Sequence, residues 1–142
     1  MDLLLFKVFH IHKLICNKAN KAFSKDGVNI QVEQIPVLMV VYHLGPQSQQ
    51  DIAHELLRDK SSILRTVGSL VTAGFLLVEH DSHDKRKKLV KLTEKGSQLS
   101  YKIASEMGSM DGKMFGSLSV AEKLILTELL DKSMNYINNI EL

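Results

Sequence analysis

A single cysteine, two prolines and a formal net charge of only +2 are the scarcities of this 142-residue chain. One cysteine, Cys16, excludes an internal disulfide and suits a reducing cytosol. No apolar run approaches the roughly 18–20 residues that a membrane span needs. The apolar start, Leu3 to Phe9, is interrupted by Lys7 and lacks a basic lead-in and a small-residue cleavage site. It reads as a helix of the mature protein rather than a signal peptide. Repeats, low-complexity tracts and long linkers are missing. So are a nucleophile–base constellation, a P-loop and paired carboxylates, which argues against an enzyme. His10, His12, His43, His54, His80 and His83 are scattered without ligand spacing, so neither a metal nor another cofactor is expected. The net charge is too small to impose a nucleic-acid partner by itself.

What is there begins with ordinary globular composition, 44% hydrophobic and 24% charged. The length fits one domain, or one domain with a helical extension. Apolar residues at helical spacing run from Leu4 through Val8, Ile11 and Ile15 to Ala22, with Gly27 as the stop. A second helix carries Val32, Ile35, Leu38, Met39 and Tyr42 and ends at Gly45-Pro46. Pro36 requires that it start late or bend. Ser48 to Asp51 reads as a capping box with Asp in place of Glu, opening a short helix through Leu56. Asp59 caps the next helix, which runs to Ala73 and stops at Gly74. Two short helices joined by a tight turn form a helix-turn-helix. Phe75–His80 and Lys88–Thr93 alternate like strands around a polar connection, giving a hairpin. A helix from Glu94 should end near Met107, because glycines crowd the stretch Gly108 to Ser117. Ser119 to Glu122 is a capping box for a last helix carrying Leu126, Leu129, Leu130, Met134, Ile137 and Ile140. The expected fold is therefore mainly α with a small β-hairpin wing: a winged helix-turn-helix flanked by helices.

Two surfaces carry the chemistry. On the helix from Lys60 to Ala73, Ile63, Val67, Leu70 and Val71 fall on one side, while Ser61, Ser62, Arg65, Gly68 and Ser69 lie opposite. An exposed helix usually shows Glu and Lys there. Serines and a glycine weaken the helix but permit close approach to a major groove, where Arg can grip guanine and Ser can bond phosphates or bases. The second surface is the loop from Asp81 to Lys87. Lys85, Arg86, Lys87, Lys88, Lys91 and Lys95 fall within eleven residues that contain one acid, Glu94. Such a run standing alone is commonly a solvated face. At the tip of a hairpin, however, an arginine can enter the negative minor groove, a neighbouring Asp84 can hold its guanidinium, and lysines can meet phosphates. With Ser48 and Lys60 at the two helix starts, the expected DNA-binding set is Ser48, Lys60, Ser61, Ser62, Arg65, Ser69, Asp84, Lys85, Arg86, Lys87 and Lys88.

The stretch Ser48 to Gly96 resembles the MarR family of bacterial regulators, through Asp51–Leu56, Asp59–Arg65, Leu70–Phe75 and Asp84–Gly96. The last segment is similar to the family's Asp-x-Arg wing motif followed by Leu-Thr and Gly. Departures are Val78, where many members have arginine, the loop His80 to His83, and Leu64, where threonine is common. The resemblance implies a cytoplasmic homodimer built by the first and last two helices, with domains at 1–30, 31–96 and 97–142. It implies that Arg86 is the minor-groove arginine, that Asp84 orients it, and that Ser61, Ser62 and Arg65 face the major groove. The resemblance also implies a small aromatic or phenolic ligand between the dimer helices and the DNA-binding lobe; Tyr42 and His43 end the second helix near that cleft, but such residues are mostly core and no pocket is assigned to them. A redox branch uses a first-helix cysteine, but Cys16 sits about two turns later and reads as core. The expected function is a duplex-DNA-binding regulator, a repressor, on a near-palindrome with half-sites about one turn (~10 bp) apart. The rival is a winged-helix protein-interaction module that does not bind DNA.

Overall fold

The computed structural model describes residues 2–142; Met1, the first residue of the expected 1–30 domain, lies outside them. The chain forms two compact units, one reaching to Ala104 and the other Ser105–Leu142. In order, the elements are α1 (Leu4–Lys25), a 3-10 turn (Val32–Gln34), α2 (Ile35–Leu44), α3 (Gln49–Glu55), α4 (Lys60–Thr72), β1 (Leu76–His80), β2 (Lys88–Leu92), α5 (Glu94–Met114) and α6 (Val120–Ile137). The mainly helical fold with one hairpin matches the sequence reading.

The core of the first unit is built around α2, whose sequence is apolar almost throughout. Such a helix has no polar face to leave in water and must be surrounded. Val37, Leu38 and Val41 are buried against Ile52 of α3, Ile63, Val67 and Leu70 of α4, and Val90 of β2. Pro36 sits in the first turn of α2, where its missing N–H is no loss. The helix therefore starts late instead of bending, and Val32 falls in the preceding 3-10 turn. Asn20 Oδ1 of α1 accepts from the Val32 N–H at 2.7 Å and fixes that entry.

Three helices end in the same way. After α1, α3 and α4 the chain makes paired 6→1 and 5→2 backbone bonds: Val28 to Phe23 and Gly27 to Ser24, Arg58 to Ala53 and Leu57 to His54, Phe75 to Leu70 and Gly74 to Val71. These are Schellman motifs, which demand a left-handed residue. Gly27 and Gly74 supply it freely, but the third position holds Leu57 at φ 51°, with 86% of its surface exposed.

β1 and β2 pair antiparallel with Val78 opposite Val90. A two-stranded hairpin is marginal alone. Here Gln47 adds a third rung, exchanging both backbone hydrogen bonds with Val90 at 3.1 and 2.7 Å. At the hairpin's foot the Thr93 N–H donates to the Phe75 carbonyl at 3.1 Å and the Thr93 hydroxyl donates to the Gly74 carbonyl. The same hydroxyl accepts from the Gly96 N–H at 3.0 Å. Lys95 Nζ donates to the Ala73 carbonyl at 2.9 Å and lies 4.7 Å from the Phe75 ring centre. A Cβ on Gly96 would overlap the Phe75 carbonyl oxygen.

Several expectations change. Val71 is 39% exposed rather than part of the core, while Thr66 is buried. α5 does not stop near Met107 but runs to Met114, and the chain turns at Phe115 to Ser117. Glycine lowers helix propensity without removing an N–H, so Gly108 and Gly112 weaken the helix and leave its ladder whole. Ile140 lies beyond the end of α6. In the second unit the Ser119–Glu122 box is complete, with the two bonds at 3.0 and 3.1 Å. The Ser119 backbone N–H, then its hydroxyl, hold the Glu122 carboxyl below its usual range. That contribution is present at neutral pH and lost as the pH falls through the lowered value.

Two substitutions test these junctions by thermal or urea unfolding. Leu57→Gly should stabilise by about 0.5–1 kcal/mol, the left-handed penalty exceeding glycine's extra chain entropy. Gly96→Ala should destabilise by about 3 kcal/mol, because backbone must move to admit the methyl.

Candidate nucleic-acid interface

Each side chain of the expected interface is placed by a local device. Ser48 opens α3, its Oγ accepting from the Asp51 N–H at 3.0 Å. The return bond from Asp51 is not made, which corrects the expected capping box. Asp is one methylene shorter than Glu, and only Glu122 in the corresponding box of α6 reaches back. Asp59 opens α4, its Oδ2 accepting from the Ser62 N–H at 2.9 Å. From there α4 buries Ile63, Val67 and Leu70, which turns Lys60, Ser61, Arg65, Gly68 and Ser69 outward, all exposed.

Ser62 differs from the wheel reading. It is half-buried, and its hydroxyl accepts from Arg58, from Nε at 3.2 Å and from Nη2. Nη2 also reaches Thr66 Oγ1 at 3.3 Å. Arg58 was read only as part of the turn. Ser62 and Thr66, four apart, share one flank of α4, and Arg58 stands just before the N-cap Asp59, from where its long side chain reaches along that flank. Leu64 stands exposed at 57% on the otherwise small and polar outer face. An aliphatic group there can contact a thymine methyl.

The wing loop is ordered by its own short bonds. The Asp81 N–H donates to the Lys87 carbonyl at 2.9 Å, closing the loop, and the Lys87 N–H donates to the Asp84 carbonyl at 2.9 Å, closing a turn inside it. Asp84 Oδ1 accepts from the Arg86 N–H at 3.1 Å and lies 3.5 Å from Arg86 Nε. Asp81 Oδ1 accepts from the His83 N–H, and His80 Nδ1 stands 2.8 Å from the Lys85 carbonyl oxygen, which requires the proton on Nδ1. The result is a tip on which Lys85, Arg86, Lys87 and Lys88 are all exposed and the Arg86 side chain is 94% so. Lys91, in the body of the hairpin, is instead paired with Glu79 at 2.8 Å. An exposed pair like Asp84–Arg86 adds little stability. Its effect is to restrict where the guanidinium points.

Elsewhere, Cys16 is buried in α1 with its Sγ 3.6 Å from His12 Nε2. Tyr42 and His43 meet edge to face, ring centres 5.1 Å apart. Among the described residues no helix is long and apolar enough to cross a membrane, and no three His, Cys, Asp or Glu residues stand close enough to hold a metal ion.

Comparison with known proteins bears on the segment that carries these elements. Residues 32–96 match the winged helix DNA-binding domain family. The uncharacterized HTH-type transcriptional regulator YkoM of Bacillus subtilis (strain 168) is 33% identical over 130 residues, 91% of this chain and 83% of its own length. A mutant MarR from E. coli, solved in complex with operator DNA, superposes with a TM-score of 0.78 at 21% identity, over 92% of each chain. BpsR of Bordetella bronchiseptica, whose DNA binding is regulated by 6-hydroxynicotinic acid, superposes with a TM-score of 0.77 at 21% identity, over 99% of this chain and 96% of that one. The last two likenesses establish the shared fold.

Proposed function

Because this chain belongs to the MarR family of winged-helix, DNA-binding transcriptional regulators, we propose that it acts in the cytoplasm as a homodimeric repressor on a near-palindromic operator. Each copy lays α4 in a major groove and the 81–87 loop in the flanking minor groove. The observation that carries this reading is the Arg86 guanidinium, almost wholly exposed at the tip of an ordered loop and restrained by Asp84. Minor-groove entry requires a cation that projects and is already oriented. Lys85, Lys87 and Lys88 then meet the backbone, each neutralised phosphate releasing counterions. On α4, Lys60 and Ser69 take phosphates at the groove's edges, while Ser61, Ser62 and Arg65 approach the bases. Ser48 contributes at the head of α3.

A second copy has a surface to cover in each unit. α1 exposes Leu4, Leu5, Phe6, Phe9, Ile11 and Leu14 and buries only Cys16 and Ala19. α6 buries nothing and exposes Leu124, Ile125, Leu129, Leu130, Met134 and Ile137. Apolar faces of this extent mark association surfaces, and residues 1–30 and 97–142 are the dimerisation regions of this reading. The protein works by binding rather than by catalysis. A small aromatic ligand relieves repression by favouring a separation of the two DNA-binding lobes that misfits the operator, a shift in population; the ligand-regulated BpsR shares this fold.

Duplex binding should weaken steeply with salt, and Arg86→Ala should make the plot of log K against log salt shallower by about 0.9 per protomer. Absence of binding by the unmodified chain at low salt would refute the reading. Sedimentation should give twice the mass of one chain, and Leu129→Asp with Leu130→Asp should halve it while the first unit keeps its fold.

A further inference from the structure

Arg58 ends the turn between α3 and α4 and is half-buried. No carboxylate lies within ion-pair distance of it among the described residues. Its partners are two neutral hydroxyls on α4, Ser62 one turn along and Thr66 two turns along. A guanidinium has five N–H donors. Nε and Nη2 donate to these hydroxyls, and among the described residues Nη1 has no partner and no carboxylate neutralises the charge. Hydroxyls alone are weak compensation for a cation held partly out of water.

Thr66 is buried and Ser62 half-buried, whereas Ser61 and Arg65 are exposed. Arg58 therefore runs along the flank of α4, between its core face and its outer face. When a recognition helix lies in a major groove its outer face meets the bases and its flanks meet the phosphates lining the groove. We propose that Arg58 is a phosphate ligand of the DNA interface, with its guanidinium preset on α4 by Ser62 and Thr66. The proposal rests on the DNA-binding reading above and adds to it a residue outside the expected set.

The test is fluorescence anisotropy of the full chain on a labelled random-sequence duplex across a salt series, with thermal unfolding of each variant. Arg58→Ala should make the salt slope shallower by about 0.9 per protomer and weaken every duplex by a similar factor. Arg58→Lys should keep the slope, because the charge remains, yet bind several-fold more weakly, because an ammonium lacks the fork that grips both hydroxyls. Ser62→Ala with Thr66→Val should also keep the slope and lose affinity, the arginine then having to be ordered on binding. An unchanged slope in Arg58→Ala, or a lysine variant as shallow as the alanine one, would overturn the proposal while the unmodified chain still binds. Unchanged affinity in the double variant would overturn the presetting by Ser62 and Thr66. Failure of the unmodified chain to bind at low salt would instead overturn the DNA-binding reading, and this proposal with it.

Discussion

The first unit depends on the contact between the backbone of Phe75 and Gly96. The Phe75 carbonyl occupies the space a side chain at 96 would need, and it also accepts from the Thr93 N–H. Around that point the end of α4, the foot of β1 and the head of α5 are tied by Thr93, whose hydroxyl donates to Gly74 and accepts from Gly96, and by Lys95, which donates to the carbonyl of Ala73, the C-cap of α4. A cation at a helix C-terminus is favourable in itself. Its larger effect here is to hold the end of α4 against the hairpin that follows it. The short run Thr93-Glu94-Lys95-Gly96 gains its meaning from this junction, since each of Thr93, Lys95 and Gly96 bonds or packs against the Gly74–Phe75 corner.

Hydroxyl and carboxylate side chains do comparable work at each surface of the interface. Ser48 and Asp59 cap the two helices, Asp81 and Asp84 fold the loop that bears Arg86, and Ser62 with Thr66 orients Arg58. In every case a short polar group fixes backbone or a longer cationic side chain. Lys91, in the body of the hairpin, is by contrast paired with Glu79. Exposed positive charge stands on α4 at Lys60 and Arg65 and on the hairpin tip at Lys85 to Lys88, although the chain as a whole is close to neutral.

The elements were largely legible in the sequence because their signals are local. Asp59, Ser119, Gly27 and Gly74 mark helix ends through their own hydrogen bonds or backbone conformation, and the wing announces itself by alternation. What escaped was decided by competition or by distance along the chain. Gly108 and Gly112 are breakers by propensity, but the intact ladder of α5 outweighs them. Ser62 belonged to the outer face on a helical wheel, which places Cα atoms and ignores a long side chain reaching over from Arg58. Leu57 gave no warning of a left-handed turn because leucine almost never adopts one. The bond between Gln47 and Val90 joins segments 43 residues apart, which no local pattern reveals.

That distant bond has a mechanical meaning. Gln47 immediately precedes the capped start of α3, and Val90 lies in the middle of β2. With the Thr93–Gly96 junction at the foot of the hairpin, it ties the wing to the helix-turn-helix at two separate points. The hairpin root and the helix-turn-helix are then joined like the arms of one caliper, which carries the ordered 81–87 tip. In the proposed complex, a duplex whose groove spacing does not suit that gauge has to bend or twist to fit. Selectivity then draws on the stiffness of the DNA sequence as well as on the side chains that touch it.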